Sequence, residues 1–427
     1  MTTSMLAARA GHVVLVLAAV LAVAYLARAV ARFLRQPGVV LEVAVGLFIG
    51  PVIVAIGGAP LLNALLPAEV TVWVRLVGHV GLVLFLMGVA NELRVTPDRG
   101  NRRAIGWSSA GGFLVPLVSG AVFAVWVLTS GDASLRGTAP MPALVLLLTV
   151  SLAVTAVPVL ARILADDGLT DTRVGRLAMT VAVIIDTASW LLVALAIGLA
   201  ADGSGGVPRL SGVLVAGILA MFGTRRLLNS DLAFGWCARF PRGTVLVLVG
   251  IGLAAFATME SWGLTGVFGA VLVGFAIPND GENGAWHRVV RVVLRGGRHL
   301  IPVFFVVTGI TVFANGVGPM SWLAIAVATG LAVFGKVAGG YVGARMGGQS
   351  HWDGLRMGVL LNARGLTELV VLQAGYLAGI LTSTMFLALV VMALVTTAMT
   401  MPVYALVERS AHRRQLKQPA PAGGELP

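Results

Sequence analysis

The sequence predicts an all-α polytopic membrane protein of about 13 transmembrane helices, and three observations carry that prediction. The 427-residue chain is 58% hydrophobic and only 11% charged, with a mean hydropathy of +0.95. That is too little charge to cover soluble domains of this length. Apolar runs close to the ~20 residues that span a bilayer recur from end to end. The basic residues, finally, alternate from linker to linker in the way that orients membrane helices.

In chain order the spans fall near 11–34, 38–57, 71–91, 104–129, 141–164, 174–201, 209–223, 244–259, 261–278, 300–315, 320–343, 355–380 and 383–407. The apolar run from Val13 to Val30 is long enough to cross, so it reads as a first helix and not as a cleaved signal. The seventh, eighth and tenth spans are short, and Met259-Glu260-Ser261-Trp262 alone divides the eighth from the ninth. Linkers after odd-numbered spans, with the adjoining span ends and the tail, hold 24 of the 30 basic residues. Arg32, Arg35, Arg94, Arg99, Arg225, Arg242, Arg291 and Arg414 are among them, and the opposite side has only Arg9, Arg136 and Arg209. This alternation places the N-terminus outside and the C-terminus in the cytoplasm. Residues 1–408 form the membrane domain. Residues 409–427 read as a short, basic, disordered tail.

Several function classes are excluded or disfavoured. The formal charge of +12 is distributed as membrane topology and not as a nucleic-acid surface. The single Cys237 allows no intramolecular disulfide and no multi-cysteine metal site. The 54 Gly sit mostly inside apolar spans, where they favour close helix packing, and none forms a phosphate-binding loop. No linker is long enough for a nucleotide-binding domain. There is no HExxH, no carboxylate pair at catalytic spacing and no histidine cluster, so neither an enzyme nor a cofactor is expected.

Charge at bilayer depth costs at least ~2.5–3.5 kcal/mol, which makes the few ionisable residues inside spans informative. Asp186 stands mid-span in VAVIIDTASWLLVALA. Burial disfavours the charged form of an acid, while the ionised carboxylate is a hard oxygen ligand for a small monovalent cation. One such group holds a proton or a cation, but not both; a structural anchor is the plainer alternative. Lys336 is one of only two lysines, the other being Lys417, among 30 basic residues. Its compact ammonium suits either a buried functional position or a structural charge partner. Arg364 and Glu368 are four apart on one helix face as an ion pair, either structural or within the site. Glu42 follows Pro37-Gly38, and a structural role near a helix start fits it better than a transport role. Arg75 reads as a snorkelling arginine.

Two spans are interrupted. Thr155-Ala156-Val157-Pro158 breaks the fifth, and Asn362-Ala363-Arg364-Gly365 breaks the twelfth. Paired broken helices in the two halves of a chain point to a secondary-transport site between inverted repeats. Released carbonyls and the hydroxyls of Ser151 and Thr155 are then expected to line a polar cavity beside Asp186.

These motifs together resemble the Kef-like branch of the bacterial monovalent cation/proton antiporters, in the sodium/hydrogen exchanger superfamily. The resemblance runs from about residue 12 to 408. It rests on Gln36-Pro37 with Glu42 and Gly50-Pro51, and on Phe85-Leu86-Met87-Gly88 with Glu92. It continues through Thr155–Leu160, Ile185-Asp186 with Trp190, Pro302-Val303-Phe304-Phe305 with Gly309, Gly335-Lys336, and Asn362–Gly365 with Glu368. The resemblance implies a thirteen-helix antiporter fold with two crossing discontinuous helices, and a homodimer in the bacterial cytoplasmic membrane. Helices near 104–201 and 320–407 would form a moving core, and the remainder a dimerising scaffold. It further implies exchange of Na+ or K+ for protons at Asp186, with Lys336 at the family's basic position. Electrogenic members carry two adjacent acids where this chain has Ile185-Asp186, which predicts electroneutral exchange. Longer members carry a cytoplasmic nucleotide-binding regulatory domain, and regulation of that kind is not expected from this sequence. A passive cation channel and a proton-coupled exporter of an organic solute are the rival readings of the same residues.

Overall fold

The computed structural model describes residues 3–33, 38–92, 102–170, 172–202, 207–262, 266–281, 283–312 and 320–417. Gln36 and Pro37, the basic residues Arg35, Arg94 and Arg99, and the tail beyond Lys417 lie outside the described residues, as do the side chains of Glu92 and Pro158. Seventeen helices are described: α1 (Thr3–Phe33), α2 (Gly38–Leu65), α3 (Ala68–Glu92), α4 (Arg102–Thr129), α5 (Ala133–Arg136), α6 (Met141–Ala153), α7 (Val157–Asp166), α8 (Arg173–Asp202), α9 (Val207–Leu228), α10 (Asp231–Arg239), α11 (Pro241–Ser261), α12 (Gly266–Ala276), α13 (Ala285–Val312), α14 (Trp322–Met346), α15 (His351–Leu361), α16 (Leu366–Leu377) and α17 (Ser383–Lys417). No strand occurs among the described residues. Among the described residues, seven helices are long and apolar enough to cross a membrane, and shorter apolar helices lie between them. Helix is found in every one of the thirteen expected segments.

Both breaks lie where the sequence puts them. Helix α6 stops at Ala153 and α7 starts at Val157, with Val154 extended at φ −57° and ψ 144°. Pro158 is therefore the second residue of a new helix, where its missing N–H costs nothing. At the other break α15 stops at Leu361 and α16 starts at Leu366. Gly365 there has φ +157°, a conformation that favours glycine, and a Cβ on it would run into Val159.

Helices α4, α6, α7, α8, α14, α15, α16 and α17 pack mainly on one another. Glycines bring α4 and α14 together. A Cβ on Gly347 would lie 2.7 Å from Ala104 Cα, one on Gly343 3.0 Å from Ser108 Cα, one on Gly339 2.9 Å from Val115 Cβ, and one on Gly335 3.1 Å from Pro116 Cα. As α14 numbers fall, α4 numbers rise, so the two helices are antiparallel. Each opens a unit of continuous helix, broken helix, continuous helix, and the two units are therefore inverted with respect to each other. At one end, Arg356 of α15 binds Asp353 at 2.9 Å and Glu408 of α17 at 2.6 Å.

Helices α1, α2, α3, α9, α11, α12 and α13 form a second set, with α13 against α3 and α2, and α12 against α3, α9 and α11. Glu42, 7% exposed, is clamped there by Arg28, whose Nη2 donates to Glu42 Oε2 at 2.8 Å and to the Arg298 carbonyl at 3.1 Å. The sets meet where Ala194 of α8 packs with Met259, Phe268 and Leu272, and where the Thr308 hydroxyl of α13 hydrogen-bonds Gln373 of α16.

Two local expectations are corrected. The tenth span begins at Ala285 instead of residue 300, because the arginine-rich linker is itself helix. Arg288, Arg291, Arg295 and Arg298 are exposed on one side, while Trp286, Val289, Val290, Val293 and Leu294 are buried on the other. The tail is also more ordered than predicted: α17 stays helical to Lys417, with the Arg414 guanidinium 5.8 Å from the Trp352 ring.

The α4–α14 contact admits no added volume. Gly339→Leu should lower the detergent melting temperature, or prevent recovery of monodisperse protein, by a cost of ~1–3 kcal/mol or more. Size-exclusion chromatography against Gly330→Leu, where a Cβ meets nothing within 4 Å, provides the control.

Candidate functional site

A helix that stops inside the membrane leaves its last carbonyls without intrahelical donors. At the end of α6 these carbonyls are met by two cations from the second half of the chain. Arg364 donates through Nη1 to the Ser151 carbonyl at 2.7 Å and through Nη2 to the Leu152 carbonyl at 2.5 Å. Lys336 Nζ donates to the Ala153 carbonyl, to Thr155 Oγ1 at 2.6 Å and to the Gly112 carbonyl at 3.3 Å. The division suits the two side chains: a planar fork takes two adjacent acceptors, and a compact ammonium takes three from different directions. Positive charge at a helix C-terminus is also favoured by the helix dipole.

The two breaks touch directly. Thr155 Oγ1 donates to the Leu361 carbonyl at 3.3 Å, and the Ala156 amide donates to the Ala363 carbonyl at 3.3 Å. Arg364 Nη1 also reaches Glu368 Oε1 at 3.0 Å, with both side chains 0% exposed. Glu368 lies in the first turn of α16, where an acid is stabilised by the free amides. The pair is therefore buried within the crossing. Asn362 Nδ2 donates to the Thr396 carbonyl of α17 at 3.2 Å.

Asp186 lies beside this crossing on α8, which packs on α4, α6, α7, α15 and α16. Its residue is 1% exposed, and its Oδ2 has no hydrogen-bond partner among the described residues. Such an atom is costly unless something else occupies it, and a proton or a cation would do so. Lys336 is the side-chain charge that acts on Asp186, yet no carboxylate lies within ion-pair distance of Lys336 among the described residues. The neighbouring Ile185 is fully buried, and its Cδ1 is 3.2 Å from where a Gly112 Cβ would stand. An apolar side chain therefore lies next to the very residue whose carbonyl Lys336 binds.

The structure thus brings Asp186, Thr155, Lys336, Asn362, Arg364, Gly365 and Glu368 together. Ser151 takes part through its carbonyl, since its hydroxyl is turned back to the Leu147 carbonyl at 2.7 Å. Glu42 belongs to the other helix set and is held by Arg28. Two contributors went unnoticed in the sequence. Gly112 acts only through its backbone, which leaves no side-chain signal. Thr397 binds the Arg364 backbone, and the only hint of it is the hydroxyl-rich Thr396-Thr397-Ala398-Met399-Thr400 inside an apolar span.

Residues 17–406 match the family model of the transmembrane sodium/hydrogen exchanger. Cation/H(+) antiporter 15 of Arabidopsis thaliana is 31% identical over 404 residues, which cover 91% of this chain and 48% of that protein. Na(+)/H(+) antiporter NhaS4 of Synechocystis sp. is 28% identical over 396 residues, covering 91% and 96%. The chain spans about half the length of the plant relative. Its fold is similar to that of the sodium proton antiporter MjNhaP1 from Methanocaldococcus jannaschii, with a TM-score of 0.60 over 95% of this chain and 98% of that one, at 14% identity.

Removing Arg364 would strand the Ser151 and Leu152 carbonyls and the Glu368 carboxylate. Arg364→Ala should cost about 3–5 kcal/mol, the usual penalty for breaking a buried ion pair, and Arg364→Lys should recover part of it. Thermal unfolding of the purified variants in one detergent measures both.

Proposed function

Because the chain belongs to the sodium/hydrogen exchanger family, we propose that it is a secondary active antiporter that exchanges a monovalent cation, Na+ or K+, for protons across the cytoplasmic membrane. The observation that carries this reading is Asp186: a buried carboxylate with an oxygen unpartnered among the described residues, beside two crossed helix breaks whose Ser151, Leu152, Ala153, Leu361 and Ala363 carbonyls already have donors. A proton or a dehydrated cation fits that vacancy, and the two compete for it. Competition at one group couples the two flows without any further device, provided the site faces one side of the membrane at a time.

Residues 104–201 and 320–407 would be the moving core, and the second helix set the scaffold through which two copies associate. The Thr308–Gln373 hydrogen bond joins the sets in this conformation and would break when the core moves. The exchange is electroneutral in this reading, one proton per cation. Lys336 has a hydroxyl and two carbonyls as partners, and Ile185 supplies no second acid with which it could trade a proton. The driving force would be the proton gradient, and the result cation efflux and control of internal pH. The N-terminus would lie outside and the C-terminus in the cytoplasm.

Asp186→Asn should abolish cation-dependent proton movement in everted vesicles while inserting in normal amounts; retained exchange would sink the single-carboxylate reading. In proteoliposomes, an imposed membrane voltage without ion gradients should drive no cation uptake. Voltage-driven uptake by the wild type would contradict electroneutrality, and uptake without counter-movement of protons would identify a passive channel.

A further inference from the structure

Arg364 closes the carbonyl end of α6, yet it lies in the one part of the twelfth segment that has no helix to hold it. Its amide does not bond to the Leu360 carbonyl four residues earlier, which takes the Ala363 amide at 3.1 Å in a tighter turn. The residue is 0% exposed, away from bulk water. Both of its backbone groups turn instead to one side chain on α17. The Arg364 amide donates to Thr397 Oγ1 at 3.1 Å, and Thr397 Oγ1 stands 2.8 Å from the Arg364 carbonyl. The same hydroxyl is 2.7 Å from the carbonyl of Ala393, its own helical acceptor. A hydroxyl has one proton and two lone pairs. It accepts from the Arg364 amide throughout, and gives its single proton either to the break or to its own helix.

We infer that Thr397 is a positioning residue for the ion site: its hydroxyl holds the Arg364 backbone in the break, and so keeps the guanidinium on the carbonyl end of α6. The chain of contacts is continuous. Thr397 fixes Arg364, Arg364 binds the Ser151 and Leu152 carbonyls, and the next carbonyl and hydroxyl along, those of Ala153 and Thr155, hold Lys336 beside Asp186. The β-methyl of threonine is not required by this role, whereas the hydroxyl is. The inference rests on the antiporter reading, because the property it predicts is cation affinity.

Everted vesicles containing the wild type, Thr397→Val, Thr397→Ser or Thr400→Val test it, with Na+ and K+ each titrated over a range of pH. Valine keeps the volume and removes the hydroxyl. Thr397→Val should raise the half-saturating cation concentration about tenfold, the weight of one lost buried hydrogen bond, and should displace the pH profile. Thr397→Ser should stay within about twofold of the wild type on the same grounds. Thr400 is equally buried one turn further along α17, and among the described residues its hydroxyl bonds only within its own helix, at 2.9 Å from the Thr396 carbonyl that also accepts from Asn362 Nδ2. Thr400→Val should therefore match the wild type. Wild-type affinity and pH profile in Thr397→Val would overturn the inference. So would a serine variant as impaired as the valine variant, or an equal defect in Thr400→Val. If Thr397→Val does not insert, Thr397→Ala takes its place, with the same expected rise and the same overturning result. Absence of exchange in the wild type would overturn the antiporter reading itself, a result distinct from all of these.

Discussion

In the hydrocarbon of a bilayer, the carbonyls released at the end of a half-helix find no partner in lipid, and leaving them bare costs several kcal/mol each. The end of α6 presents three in succession, from Ser151, Leu152 and Ala153. Arg364 takes two and Lys336 takes the third. This cationic closure of a broken helix is the constraint on which the rest of the core depends. It requires α14 to lie close enough to α4 for Lys336 to reach across, which the facing glycines of those helices permit. It requires the second break to bring Arg364 to the same place. It also accounts for the mixed use of cations: a fork where two acceptors are adjacent, an ammonium where they converge.

Once these carbonyls are met in this way, Asp186 is left with an oxygen that no group among the described residues claims. A transport site needs a group whose interactions are completed by the cargo and not by its neighbours. Had Lys336 been paired with a carboxylate, the site would contain a second proton-exchanging couple. With Ile185 in that place, the ammonium is committed to carbonyls and a hydroxyl.

The parts of this site that could be read from the sequence are those made of residue types that are expensive in lipid. Asp186, Lys336 and the Arg364/Glu368 pair stood out because almost nothing else charged lies in the spans. The breaks stood out because Pro158 and Gly365 disturb otherwise helical runs. What could not be read was register between distant segments. Ser151 and Arg364 are 213 residues apart, and nothing local says that a carbonyl and not the Ser151 hydroxyl would matter. Gly112 contributes only backbone. Thr397 is an ordinary residue for a membrane helix until its partner is known. The early start of α13 was hidden for a different reason: four arginines lower its hydropathy, although Trp286, Val289, Val290, Val293 and Leu294 keep a helical period beneath them.

The central claim is that a proton and a cation compete for Asp186 alone. The most direct measurement is the number of protons released when the purified protein binds its cation, obtained by titration calorimetry at one pH in buffers of different ionisation enthalpy. The account predicts release that approaches one proton per cation as the pH falls, and neither binding nor release in Asp186→Asn. Cation binding without proton release at low pH, or release that survives in Asp186→Asn, would contradict it.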